Sequence, residues 1–216
     1  MVRSSLKVCG IDEAGRGAVI GPMVIAGILI DQSKIEELVK VKVKDSKKLS
    51  PGARVELSKI IREIAEKVEI IVLDAATVDR STRKKGSSGL NELEARIFAK
   101  IIDSLKPDAA YIDLPSTRYD EFRRLIENLI QHRCSLILEH KADEKYPVVS
   151  AASIIAKCER DRLIEELKAK LGDFGSGYPS DPKTRSFLLE MMKTGAIKNE
   201  HVRSSWKTLS KVAQRK

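Results

Sequence analysis

Four acidic residues in this chain are spaced so that they could hold a divalent metal ion: the adjacent pair Asp12 and Glu13, then Asp113, then Asp143. Each follows or ends a short apolar run that reads as a β-strand. Where helical crossovers make strands parallel, their carboxyl ends gather along one edge of a sheet, and ligand sites lie there. Hard ions such as Mg2+ and Mn2+ take oxygen ligands, usually a few carboxylates with water and substrate phosphate. Two such ions about 4 Å apart can activate a water and stabilise a leaving oxygen in phosphodiester hydrolysis. Without metal, clustered carboxylates repel one another and some hold a proton. Taken one at a time, each acid has a plainer reading: an Asp-Glu pair before glycine is a solvated turn, and Asp113 and Asp143 are loop acids. Adjacent strand residues also point to opposite faces. For Asp12 and Glu13 to face one ion, the strand must end or bulge there.

The neighbours of the acids suggest a polyanionic, sugar-bearing substrate. Gly15, Arg16 and Gly17 follow the first pair. Glycines let backbone groups approach a ligand closely, and backbone groups there could meet a ribose 2′-hydroxyl, which separates RNA from DNA. A plain turn into the next strand explains them equally well. Lys47 and Lys48 stand in a short basic loop suited to phosphate, or simply to solvent. Tyr178 lies in Gly175-Ser176-Gly177-Tyr178-Pro179, where it could stack on a sugar or base or pack on the domain. Glycosidases also use paired acids, but the basic tail and the number of acids argue against one. His132, His140 and His201 lack partners for nucleophilic catalysis, and no Gly-x4-Gly-Lys phosphate loop is present.

The elements that must position these groups follow from periodicity and end signals. Strands are expected over residues 6–11, 23–30, 68–73, 109–112 and 136–138. A short helix is expected over 34–39 and a longer one over 51–66, capped by Ser50 with Pro51 at its first position. Residues 80–89 read as a polar, Gly/Ser-rich loop. Asn91 with Glu94, and Thr117 with Asp120, resemble helix-start signals. A long helix is expected over 150–171, another from Asp181-Pro182 to near Gly195, and a last one near His201. Three early strands followed by helix–strand–helix–strand indicate an α/β protein with a mixed sheet. No internal repeat is visible.

Bulk properties narrow the class. The chain has 216 residues, 42% of them hydrophobic, enough to bury a core. No apolar run approaches the roughly 18 residues of a membrane helix, and the N-terminus lacks the apolar core of a signal peptide. Cys9, Cys134 and Cys158 are isolated in sequence, which indicates reduced thiols, a cytoplasmic home and no zinc cluster. Heavy use of Glu and Lys leans towards a thermophilic source. The net charge is +9. From Lys183 onward, Lys183, Arg185, Lys193, Lys198, Arg203, Lys207, Lys211, Arg215 and Lys216 face only Glu190 and Glu200. Such a field favours nucleic acid. A membrane surface is the lesser candidate, because Phe187, Leu188, Met191 and Met192 read as a helix face packed on a domain.

Taken together, the motifs resemble type 2 ribonuclease H, in its archaeal branch. They are the run from Gly10 to Gly17, Gly21-Pro22-Met23-Val24, Asp45-Ser46-Lys47-Lys48-Leu49-Ser50, Tyr111-Ile112-Asp113, His140-Lys141-Ala142-Asp143, Ser150 to Lys157, Arg160-Asp161-Arg162, Gly175 to Pro179, and Arg203 to Thr208. The resemblance implies an α/β, ribonuclease H-like mixed five-stranded sheet flanked by helices, with a helical C-terminal appendage. It implies a catalytic domain over 1–175 and a basic, helical region over 176–216 that aids duplex binding. It implies Mg2+ or Mn2+ on Asp12, Glu13, Asp113 and Asp143. The substrates would be RNA–DNA hybrids and duplex DNA with embedded ribonucleotides, cut on the 5′ side to leave 3′-hydroxyl and 5′-phosphate ends. Gly15, Arg16 and Gly17 would recognise the 2′-hydroxyl, Tyr178 would stack at the junction, and Lys47 would contact phosphate. A monomer is expected. The chain ends Lys211-Val212-Ala213-Gln214-Arg215-Lys216 without the terminal aromatics of a clamp-binding peptide, which leaves a sliding-clamp partnership doubtful. It starts directly at the first strand, unlike type 3 enzymes with an added N-terminal domain. A non-catalytic nucleic-acid binder and a Holliday-junction resolvase are the rival readings.

Overall fold

A computed structural model describes residues 5–43, 50–83, 89–116, 118–197, 200–206 and 209. Five strands make one sheet: β1 (Lys7–Ala14), β2 (Met23–Asp31), β3 (Lys67–Leu73), β4 (Ala109–Asp113) and β5 (Ser135–Glu139). Their order is β3-β2-β1-β4-β5, and β4 runs parallel to both β1 and β5. The sheet is mixed and flanked by helices, as the patterning requires. All but the last residue of β2 is buried, which suits a near-continuous apolar strand covered on both faces.

The helices are α1 (Ile35–Lys40), α2 (Pro51–Ile64), α3 (Ala75–Arg83), α4 (Leu90–Leu105), α5 (Tyr119–Glu127), α6 (Ala142–Lys145), α7 (Pro147–Leu171) and α8 (Pro182–Lys193). Ser50 caps α2 by accepting the Ala53 N–H, and Asp181 caps α8 by accepting the Lys183 N–H. Both caps carry the expected proline in the first turn. Two strand glycines exist to admit helices. A Cβ on Gly10 would lie 2.2 Å from the Val148 carbonyl oxygen of α7, and one on Gly27 would lie 2.3 Å from Ile101 Cγ2 of α4.

Several local expectations are corrected. Residues 80–83 of the segment read as a polar loop belong to α3, while 84–88 lie outside the described residues; the start of α3 is held by Asp74, whose carboxylate accepts the Thr77 N–H at 2.6 Å. Asn91 lies inside the first turn of α4 rather than capping it, because its side-chain oxygen is taken by Arg16 Nη2 at 2.8 Å. The long helix begins at Pro147, one turn early. The last helix does not start at His201: residues 200–206 form turns and a bridge between Ile20 and Val202, and Leu209 beyond them is helical. Thr117 lies outside the described residues, and α5 begins after Arg118.

Internal packing groups the chain into two units. One comprises Met1–Ala14, Ile25–Ile71 and Glu94–Cys158. Its core includes Ile11, Ile28, Phe98, Ile112, Phe122 and Ile155, with the Phe98 and Phe122 rings edge to face at 5.8 Å. The other comprises Gly15–Val24, Val72–Leu93 and Glu159–Lys216. Val19, Ile20, Ile164, Leu167, Phe174, Leu188, Met191, Val202 and Leu209 form its core. Among the described residues no helix is long and apolar enough to cross a membrane.

Candidate active site

The parallel register of β1 and β4 sets two of the four acids side by side. Ile11 is level with Ile112, so Asp12 and Asp113 follow as neighbours. Asp113 is in turn level with Glu139 on β5. β1 continues through Asp12 and Glu13 to Ala14, with Asp12 buried and Glu13 half-buried. The Glu13 N–H donates to Asp12 Oδ1 at 2.8 Å.

Asp143 arrives by a turn. After β5, Lys141 takes a left-handed conformation at φ 56° and opens α6, which carries Asp143. The Ala142 N–H donates to Asp113 Oδ1 at 2.9 Å. The Asp113 carboxylate thus holds the start of the short helix that bears Asp143. Tyr146 closes the turn by donating to Glu139 Oε1 at 2.6 Å, and Lys145 pairs with the same carboxylate.

Burial pushes the Asp12 carboxyl up to about 6, and the neighbouring Asp113 charge adds to the rise. A hydrogen bond with Ser153, the Glu13 N–H and the Lys157 charge pull the other way. Ser153 and Lys157 are one helical turn apart on α7, with Lys157 Nζ donating to Ser153 Oγ at 2.7 Å. Both lie in the motif run from Ser150 to Lys157, but the sequence alone attaches no role to either residue. Their i, i+4 spacing beside an apolar face was the available signal.

The donor set is carboxylate oxygen throughout, which suits a hard divalent ion. A buried carboxylate held above its ordinary range also gains from a positive partner. Among the described residues, no three His, Cys, Asp or Glu side chains form a ready-made metal cluster. Asp12 and Asp113 are neighbours, and Asp113 is bonded to the start of the helix that carries Asp143.

The glycine run belongs to the second unit. Gly15 has φ 85°, and its N–H donates to the Tyr178 hydroxyl at 2.9 Å. A Cβ on Gly17 would lie 4.0 Å from Tyr178 Cε1, in ordinary van der Waals contact with the ring. Arg16 points its guanidinium at Asn91. Arg203, counted above as part of a basic surface, is fully buried. It donates to the Arg16 carbonyl at 2.8 Å and the Gly21 carbonyl at 3.2 Å, so its charge serves the loop instead of a surface field. Lys47 lies outside the described residues.

Comparison with known proteins gives a consistent picture. The model of the Ribonuclease HII family matches residues 9–209. The chain is 44% identical over 211 residues to Ribonuclease HII of Pyrococcus furiosus, covering 97% of this chain and 92% of that protein. It is similar to the crystal structure of ribonuclease H2 from Pyrococcus horikoshii OT3, with TM-score 0.86, 43% identity, and 97% and 98% of the two chains covered. It is also similar to a chain in the PCNA:RNase HII complex from Archaeoglobus fulgidus, with TM-score 0.84, 47% identity, and 94% and 96% covered.

Proposed function

The chain belongs to the ribonuclease HII family, and from that premise we propose that it cuts on the 5′ side of ribonucleotides embedded in duplex DNA. Membership makes it a ribonuclease H, an endoribonuclease of RNA–DNA hybrids. The proposed reaction hydrolyses the phosphodiester and leaves 3′-hydroxyl and 5′-phosphate ends. Asp12, Glu13, Asp113 and Asp143 would hold Mg2+ or Mn2+. When bound, the ion supplies positive charge beside the scissile phosphate. The observation that carries this reading is the buried Asp12 beside Asp113, with Asp113 bonded to the helix that bears Asp143.

The chain's own groups would do the rest. Backbone groups of Gly15, Arg16 and Gly17 would meet the ribose 2′-hydroxyl. Tyr178, oriented by the Gly15 N–H, would stack at the junction between ribose and deoxyribose. Lys47 and the basic region over 176–216 would hold backbone phosphates.

Asp113→Asn is expected to abolish Mg2+- or Mn2+-dependent cleavage of a DNA duplex with one ribonucleotide, while the circular dichroism spectrum stays native. Full activity in that variant sinks the assignment. An all-DNA four-way junction in the same assay is expected to stay intact; its cleavage would favour the resolvase reading.

A further inference from the structure

Arg160 lies on α7, in a run that the sequence motifs contain but to which no role has been attached. It is 4% exposed. Its Nε donates to the Pro22 carbonyl at 3.4 Å and its Nη2 to the Ser176 carbonyl at 3.2 Å. Its guanidinium carbon sits 4.6 Å from the centre of the Tyr178 ring. One planar group therefore touches the end of the loop that starts at Gly15, the turn before Tyr178, and a face of Tyr178 itself.

The glycines of both motifs make room for it. A Cβ on Gly15 would lie 2.4 Å from Arg160 Nε and 2.6 Å from the Pro22 carbonyl oxygen. A Cβ on Gly177 would lie 3.3 Å from Arg160 Nη2 and 2.5 Å from the Ile20 carbonyl oxygen. Gly15 and Gly177 also have φ of 85° and 79°, where a side chain is strained. Two glycine motifs far apart in sequence are thus the two walls of one slot for one guanidinium. Burial holds the Arg160 pKa below its ordinary value, which marks how fully the group is withdrawn from water.

Lysine cannot replace this geometry. A guanidinium donates in two directions in its own plane and lies flat on a ring, whereas an ammonium is a point charge. With one face of Tyr178 occupied by Arg160, the ring is held in a fixed plane. The Gly15 N–H fixes the position of its hydroxyl. We infer that Arg160 is the positioning residue that locks Gly15–Gly17 and Tyr178 into one rigid sugar-reading unit, and so sets how well the enzyme places an embedded ribonucleotide. This rests on the proposed role of those residues in reading the ribose.

The test is steady-state cleavage of a DNA duplex with one ribonucleotide by wild type, Arg160→Lys, Tyr178→Phe and the double variant. If wild type does not cut, the proposed function fails, not this inference. If it cuts, Arg160→Lys is expected to lose roughly tenfold to a hundredfold in kcat, as expected of a misplaced reacting group. KM should change little, because duplex affinity comes mainly from phosphate contacts. The double variant should be no worse than the poorer single one, since both act through one unit. Unchanged kcat per folded molecule in Arg160→Lys, or losses that simply multiply in the double variant, overturns the inference. Should Arg160→Lys fail to fold, Tyr178→Leu with 15N-labelled arginine serves instead. Faster solvent exchange at Arg160 Nε is expected there, and exchange unchanged from wild type overturns the inference.

Discussion

At the scale of single residues, the site is governed by the cost of burying charge. Asp12 is 5% exposed and adjacent to a second carboxylate. Its protonated form is favoured in the folded protein more than in the unfolded chain, so this group subtracts stability as pH rises through its titration. The sign gives a prediction. In chelator, wild type should lose melting temperature relative to Asp12→Asn as pH rises from about 4 to about 6, because Asn does not ionise. Added Mg2+ or Mn2+ should restore wild type above that window and leave the variant little changed. A difference between the two proteins that is flat across the window, measured by calorimetry, would refute this account of Asp12.

At the scale of elements, close approach decides where α7 can lie. Its first turn crosses β1 at Gly10, with the Val148 carbonyl where a side chain would be. That crossing sets the register of α7, and hence brings Ser153 and Lys157 to Asp12. Gly10→Ala forces the backbones apart and is expected to cost about 1–3 kcal/mol, the usual penalty for overpacking. Urea denaturation would measure it. Activity should fall further than the loss of folded protein explains, because Ser153 moves with the helix. A variant as stable as wild type would show that the strand and helix can separate without strain.

At the scale of the whole molecule, the excess of positive charge governs encounter with substrate. The net charge is +9, although Arg160 and Arg203 are buried and serve the loop instead of the solvent-facing field. Duplex binding by the non-cleaving Asp113→Asn protein should therefore weaken linearly on a log–log plot against salt. For about six neutralised phosphates the fall is on the order of 10³-fold between roughly 50 and 200 mM salt. Fluorescence anisotropy would report it, and affinity independent of salt would remove the electrostatic account of the basic region.

Much was legible before any fold was known, because strand and helix patterns are local. The runs ending at Asp12-Glu13 and at Asp113 read correctly as strands, and Ser50-Pro51 and Asp181-Pro182 read correctly as helix starts. The spacing of the motifs identified the family that the whole-chain comparisons bear out. Other features required tertiary structure, because they depend on which atoms meet across long stretches of sequence. Asn91 had the local pattern of a cap, yet Arg16, 75 positions away, claims its oxygen. Arg203 counted as surface charge until its carbonyl partners appeared. The run from Asp12 to Gly17 has the same character. Sequence alone put acids and glycines next to one another; only the fold set Asp12 beside Asp113 and wrapped Gly15 around the guanidinium of Arg160.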